Sequence, residues 1–443
     1  MRWLCLLSFY IISMVTLARS QGTLSAEVLT DRDVYRTGST NPISVYAHLF
    51  GSPNPSGEVT TPRNVAFVLD RSGSMAGPRI QFLRKAVSQA VNSLGARDIV
   101  SVVFFGSEIE TLVEARRHDE LESLDAKLAG VEPSGGSALY DALNQGAALL
   151  RRNLSANTVN HLILVTDGPA TKGPREAADF TRLAELFARE GITLSSIGIG
   201  SDFDEDELAT MARIGNGEFY FAENPESLVD QIPAEVNSLR RMVARDVTIQ
   251  IEFSAFCDKI EPCSWARATI QGQVVTSTLP YVCADREVNI LVQVSEHARR
   301  FSSKIATLRV SWKDPNDGQS HELVKSVDAD FTTDDLVVKH AVNPTVARVL
   351  ADAMARQGLE DAIEQLDKSD SRRALRALRE GREDLYGLNL WLDDTVIETK
   401  ARQLGTYLAS LHNRTLNAMD RKTLRSGIFH QFGIPTTDDA SHP

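Results

Sequence analysis

The chain is poor in cysteine, with four in 443 residues, and Cys5 falls inside an apolar leader. The remaining three, Cys257, Cys263 and Cys283, form no C-x-x-C pair and have no histidine close by. That excludes a structural zinc site of the usual spacing. In an oxidising compartment Cys257 and Cys263 lie close enough to close a small loop. Pairing with Cys283 stays open, and one thiol is left over. The nine histidines are scattered, and none pairs at ligand spacing. Basic charge is also short, with 47 Lys and Arg against 59 Asp and Glu, a net charge of -12 and a pI near 5.3. A nucleic-acid partner or docking on anionic lipid is therefore not expected. No P-loop occurs, so the chain is not itself a nucleotide-driven chelatase subunit. His321-Glu322 continues as Leu323-Val324-Lys325, so the H-E-x-x-H of a zinc protease is missing. Ser137 follows Gly135 but lacks the second glycine of a nucleophile elbow.

Long apolar runs are absent after residue 20. Before it, Arg2 precedes a nearly continuous apolar stretch from Leu4 to Leu17, and Ala18-Arg19-Ser20 offers small residues where a signal peptidase reads. This predicts a signal peptide over residues 1–20, cleaved before Gln21, and a secreted or periplasmic protein. The apolar run is short for a span of about 20 residues, so no stable transmembrane segment is expected after cleavage. Asn153-Leu154-Ser155 and Asn413-Arg414-Thr415 fit the glycosylation pattern and matter only in a eukaryotic host.

The length predicts two or three domains. Residues 21–61 hold two period-2 strands, Leu24 to Leu29 and Ile43 to Phe50, before a Pro-rich loop. Two strands are not a stable unit, so they are expected to join a sheet built elsewhere. Residues 62–242 alternate strand and helix, which predicts an α/β fold with a doubly wound, mainly parallel sheet. Expected here are a strand over 98–105, a polar helix over 118–129 and a last helix from Pro225 to Met242, bent at Pro233. Residues 243–332 carry short strands with turn signals such as Pro315-Asn316-Asp317-Gly318, and predict a β-sandwich. The leading strands would belong to it, making the α/β unit an insertion. Residues 343–430 are expected to be largely helical, with Val346, Leu350, Met354, Leu359, Ile363 and Leu366 at helical spacing. Residues 431–443 read as a disordered tail.

The chain is organised around Asn64-Val65-Ala66-Phe67-Val68-Leu69-Asp70-Arg71-Ser72-Gly73-Ser74-Met75. An apolar run buried on both faces ends in one carboxylate and two hydroxyls at i, i+2 and i+4. Ligand sites of open α/β sheets lie at that carboxyl end. Hard oxygens suit a small hard cation such as Mg2+ or Mn2+. Taken alone, Asp70, Ser72 and Ser74 also fit as caps of the following helix. Gly73 would tighten the turn and Met75 would line the rim. Gly135-Gly136-Ser137 supplies a further hydroxyl before a helix, and Leu162-Ile163-Leu164-Val165-Thr166-Asp167-Gly168 is a second apolar strand ending in a carboxylate. Asp141 reads as a partner of a helix dipole, and the acidic run from Asp202 to Glu207 as a solvated helix start.

Together the three loops resemble the metal-ion-dependent adhesion site of von Willebrand factor type A domains. The pattern Asp-x-Ser-x-Ser, then Thr, then Asp falls on Asp70, Ser72, Ser74, Ser137 and Asp167, over about residues 62–242. Ser137 stands where the family has Thr and keeps the hydroxyl. The resemblance implies that Ser72 and Ser74 ligate directly, with Ser137 direct or through water, and that Asp70 and Asp167 act largely through water. It implies Mg2+, with Mn2+ or Ca2+ as alternatives, and a protein partner offering an Asp or Glu carboxylate. A haloacid-dehalogenase-like phosphatase also places an Asp after its first strand, but needs a second Asp where this chain has Ser72. The expected protein is therefore an exported, non-enzymatic adhesion module. The alternative is a cell-envelope assembly or scaffold protein whose metal site is mainly structural.

Overall fold

The computed structural model describes residues 24–413 except 40, 53–60, 156–157, 240–241, 264–267, 285–286, 297–302 and 369. The leader at 1–20 and the tail at 431–443 lie outside the described residues. The described chain opens with β1 (Leu24–Thr30), β2 (Val34–Arg36) and β3 (Ile43–Gly51). In β1 buried and exposed residues alternate, as a strand with one face on a core requires.

An α/β unit follows. It comprises β4 (Arg63–Asp70), α1 (Pro78–Asn92), β5 (Ile99–Phe105), β6 (Ile109–Arg117), α2 (Leu124–Ala129), α3 (Leu139–Arg151), β7 (Val159–Thr166), α4 (Ala177–Arg189), β8 (Ile192–Ile199), α5 (Glu205–Ile214), β9 (Asn216–Ala222) and α6 (Leu228–Ser238). The strand order is β6-β5-β4-β7-β8-β9, parallel except for β6 against β5. Every residue of β4, β7 and β8 is buried, because helices cover both faces. Val65, Phe67 and Leu69 pack with α1 and α6, while Ala66 and Val68 pack with α3, α4 and α5. An unbroken apolar run is what such a central strand needs.

The chain then forms β10 (Met242–Phe253), β11 (Cys257–Pro262), β12 (Ala268–Gln271), β13 (Val274–Cys283), β14 (Glu287–Glu296), β15 (Ser303–Lys313) and β16 (Ser320–Thr332). Two sheets result, β1-β3-β14-β11 and β12-β13-β10-β15-β16-β2. They share one core, in which Leu24, Val45 and Ile290 of the first meet Ile249, Leu308 and Val310 of the second. Strands from before and after the α/β unit thus sit in both sheets. The helices α7 (Asp335–His340), α8 (Pro344–Asp367), α9 (Ser371–Asn389) and α10 (Thr395–Asn413) come last. Asn343 caps α8 by accepting from the backbone N–H of Thr345 and Val346. Val346 and Leu350 pack on Tyr46 and Leu291, seating the helices on the first sheet.

Several local expectations change. Residues 109–117 form the edge strand β6, whose charged, half-buried residues hide its period. The helix expected over 118–129 shrinks to a 3-10 turn at His118–Glu120 and α2. The last helix of the unit stops at Ser238, and β10 begins at Met242. β13 runs through Pro280 and also escapes the sequence pattern, since proline argues against a strand interior. Cys257 and Cys283 are buried and Cys263 is half-buried. Met75 is fully buried in the α1 core rather than at a rim. Among the described residues no helix is long and apolar enough to cross a membrane.

Candidate metal centre

The carboxyl ends of β4 and β7 lie side by side, because the two strands pair in register. Asp70 ends β4, and Asp167 follows the last residue of β7. Both carboxylates are fully buried. Asp70 accepts from the backbone N–H of Ser72 at 2.7 Å and from Thr166 Oγ1 at 2.6 Å. Ser74 Oγ donates to Asp167 Oδ1 at 2.7 Å and lies 3.0 Å from Ser72 Oγ. Four of the five residues singled out in the sequence therefore form one hydrogen-bonded cluster.

Ser137 joins through the backbone of its loop rather than through a side-chain contact. Gly73 N donates to Gly135 O at 3.0 Å, tying the first loop to the second. Ser137 O accepts from Thr171 N and Lys172 N, and Ser137 N donates to Thr171 Oγ1 at 2.7 Å, tying the second loop to the segment after Asp167. Gly135 is required for this path. Its φ is +75°, and a Cβ there would meet Ser107 Oγ at 2.4 Å.

These side chains do not cap the following helix. Ser72 makes no side-chain cap bond to the turn at Gly73–Met75, and α1 is entered through Gly77 at φ 80°. The acidic run does start a helix, with Asp204 accepting from Glu207 N at 3.0 Å, although Glu205 is buried.

The donor set suits a hard cation on two counts. Ser137 is 3% exposed, and its Oγ is buried with no hydrogen-bond partner among the described residues. A buried hydroxyl left unmade is costly, and a bound cation is one partner that would satisfy it. Charge is the second count. Burial pushes the Asp70 carboxyl up to about 6, the hydrogen bonds from Thr166 and Ser72 pull it back, and the Asp167 charge adds to the rise. One guanidinium touches the cluster: Arg79 Nη1 lies 2.6 Å from Asp167 Oδ2 and 3.2 Å from Ser74 O. Two carboxylates against one guanidinium leave a buried negative charge, which a cation offsets. Among the described residues no three His, Cys, Asp or Glu side chains cluster as metal ligands, and this site itself offers two carboxylates beside hydroxyls.

Thr166, Thr171 and Arg79 were not singled out from the sequence. Thr166 sits next to Asp167 and had only adjacency to mark it. Arg79 did carry a signal, because a basic residue in the first turn of a helix opposes the helix dipole.

Residues 64–234 match the family model of the von Willebrand factor type A domain. The chain carries such a domain, and the surrounding sheets and helices extend it. Human inter-alpha-trypsin inhibitor heavy chain H2 is 28% identical over 209 residues, covering 44% of this chain and 22% of that protein. The uncharacterized protein YfbK of Escherichia coli is 24% identical over 200 residues, covering 43% of this chain and 34% of that one. The matched region thus spans about a quarter to a third of the length of these curated relatives. Among solved structures, a von Willebrand factor type A protein from Catenulispora acidiphila superposes with a TM-score of 0.66 at 17% identity, over 83% of this chain and 89% of that one. The ArnB paralog VWA2 from Sulfolobus acidocaldarius gives 0.60 at 19% identity, over 92% of this chain and 99% of that one. At these identities they establish a shared fold across the α/β unit, the sheets and the helices.

Proposed function

We propose that this is an exported, non-enzymatic binding protein in which Asp70, Ser72, Ser74, Ser137 and Asp167 hold a Mg2+-class cation, and that the site captures an Asp or Glu of a protein partner. The observation that carries the reading is a buried Ser137 hydroxyl with no partner among the described residues, on a loop tied to those of two buried carboxylates that have one guanidinium, on Asp167, to answer both. Domains of this family typically serve as interaction modules, which supports the non-enzymatic part.

Ser72, Ser74 and Ser137 supply neutral oxygens. Ser74 keeps its proton on Asp167 Oδ1 and still has lone pairs to offer. Asp70 holds the first loop closed through Ser72 N and orients Thr166. A bound cation supplies an electron-poor face on which a carboxylate oxygen completes the coordination. Neutral donors keep that face poor in electrons, which favours an acidic side chain over water. The test is a crosslinked pull-down from the cell envelope with wild type and Asp167→Ala, each in Mg2+ and in EDTA. Partner capture that needs Mg2+ and is lost in the variant is expected; equal capture in all four conditions overturns the reading.

One observation favours the scaffold reading. Leu390 is 70% and Trp391 56% exposed after α9, with Lys339 Nζ 4.6 Å over the indole. Large apolar side chains left in solvent together mark contact surfaces. Under this reading, Leu390→Ser with Trp391→Ser abolishes partner capture while Mg2+ binding persists. Under the first reading capture survives.

A further inference from the structure

Arg79 stands outside the five-residue pattern, yet among the described residues it is the one guanidinium in contact with the cluster. It projects from the first turn of α1 and bridges two of the three loops. Its Nη1 lies 2.6 Å from Asp167 Oδ2 and 3.2 Å from the Ser74 carbonyl. Asp167 is fully buried, while the Arg79 side chain is 27% exposed. Both oxygens of Asp167 are therefore occupied, Oδ1 by the Ser74 hydroxyl and Oδ2 by the guanidinium. Asp70 differs. Its two oxygens take a backbone N–H and the Thr166 hydroxyl, and no cationic group among the described residues touches it. The guanidinium also rests beside Gly200 at the end of β8, where a Cβ would come within 2.9 Å of Nη2. Gly200 thus leaves room for Arg79 in its observed place.

We infer that Arg79 is a resident counter-cation that shares Asp167 with the metal, and so sets how strongly the site holds its cation and how strongly that cation seeks an outside carboxylate. The inference rests on the proposed metal-dependent function and concerns the regulation of that same site. A positive charge fixed on one ligand carboxylate repels an incoming divalent ion and withdraws the negative charge that would neutralise it. The site then binds its cation only loosely alone. A partner carboxylate supplies the missing charge, so cation and partner bind each other's complex more tightly than the free protein. Such coupling is reciprocal by necessity. Arg suits the role better than Lys. It cannot lose its proton, and its planar fork spans a carboxylate and a carbonyl together. It is a positioning and tuning residue, since it reaches the metal only through Asp167.

The experiment titrates the full chain with Mg2+ alone by calorimetry, for wild type, Arg79→Gln, Arg79→Lys and Asp167→Asn, with melting curves in EDTA beside each. Removing one unit of charge from beside a ligand carboxylate is expected to tighten Mg2+ roughly tenfold in Arg79→Gln. Arg79→Lys, which keeps the charge, stays nearer wild type. In EDTA, Arg79→Gln melts below wild type, because Asp167 has lost its ion pair, and Mg2+ raises its midpoint by more. A purely structural Arg79 would lower the melting point without tightening Mg2+, and that result overturns the inference. Wild type that binds Mg2+ while Arg79→Gln binds no tighter removes the inference alone. If neither binds at millimolar Mg2+, the proposed function falls with it. Should Arg79→Gln fail to fold, wild type still decides. The Arg79 guanidinium resonance, assigned by its loss in Arg79→Lys, shifts on adding Mg2+; a resonance that stays in place overturns the inference.

Discussion

The strand β4 has a buried charge at each end, and the two ends are built differently. At its start Arg63 meets Asp98. Arg63 Nε donates to Asp98 Oδ2 at 2.9 Å, Nη2 donates to the same oxygen, and Nη1 donates to Val236 O at 3.1 Å. Asp98 also accepts from Arg63 N at 2.8 Å and Gly95 N at 2.7 Å. One positive charge faces one negative charge, and every nitrogen of the guanidinium has a partner. At its far end, among the described residues, Asp70 has hydrogen bonds but no cationic side chain, and Ser137 Oγ, on a loop tied to the same one, has no partner. A polar cluster that only holds a fold together closes on itself. Asn64 Oδ1 at the closed end also lacks a partner among the described residues, so it is the excess negative charge at the far end that sets the two apart.

The largest expected effect breaks the closed end. Asp98→Ala leaves Arg63 buried without its partner and costs about 3–5 kcal/mol of stability, measured by urea unfolding in EDTA. Replacing Ser137 at the open end should do the reverse: Ser137→Ala removes no hydrogen bond, so stability in EDTA changes by less than about 1 kcal/mol, while Mg2+ affinity drops. Equal destabilisation by the two variants would erase the distinction between the ends. Between them lies Gly135→Ala, which forces a side chain into the left-handed region and against Ser107. It should cost roughly 1–3 kcal/mol and weaken Mg2+ as well, since Gly135 O carries the bond to Gly73 N.

The smallest effect concerns a third carboxylate, in the first turn of α5. Burial, and after it the neighbouring Asp204, push Glu207 up to about 7. A folded-state value above the unfolded one means that ionisation opposes folding. Stability attached to Glu207 is thus present at pH 4 and lost as pH rises toward 7. Glu207→Gln should raise the melting point at pH 8 and leave it unchanged at pH 4, by scanning calorimetry. A melting point that moves equally at both pH values would contradict this.

How far the sequence could be read followed the same physics. The open end was legible because β4 and β7 each carry an apolar run, 65–69 and 162–165, so the carboxylates just beyond, Asp70 and Asp167, stand out. The doubly wound order was legible from helices with one apolar stripe, such as Ile80, Leu83, Val87 and Val91 on α1. The edge strand β6 was not, because Glu110, Glu114, Arg116 and Arg117 interrupt its pattern where one side faces solvent. Met75 was misplaced because it follows a polar loop, and nothing local reveals that the 3-10 turn swings it under α1. Arg79 and the Arg63–Asp98 pair depend on residues far apart in the chain, and only folding brings them into contact.

The central claim is that five side chains on three loops make a cation site. Its most direct test is a Mg2+ titration of the full chain, wild type against Ser137→Ala. One Mg2+ per wild-type chain, with affinity reduced at least tenfold in a variant that melts like wild type in EDTA, is the predicted result. Heat of binding that is absent from wild type, or unchanged in Ser137→Ala, would contradict it.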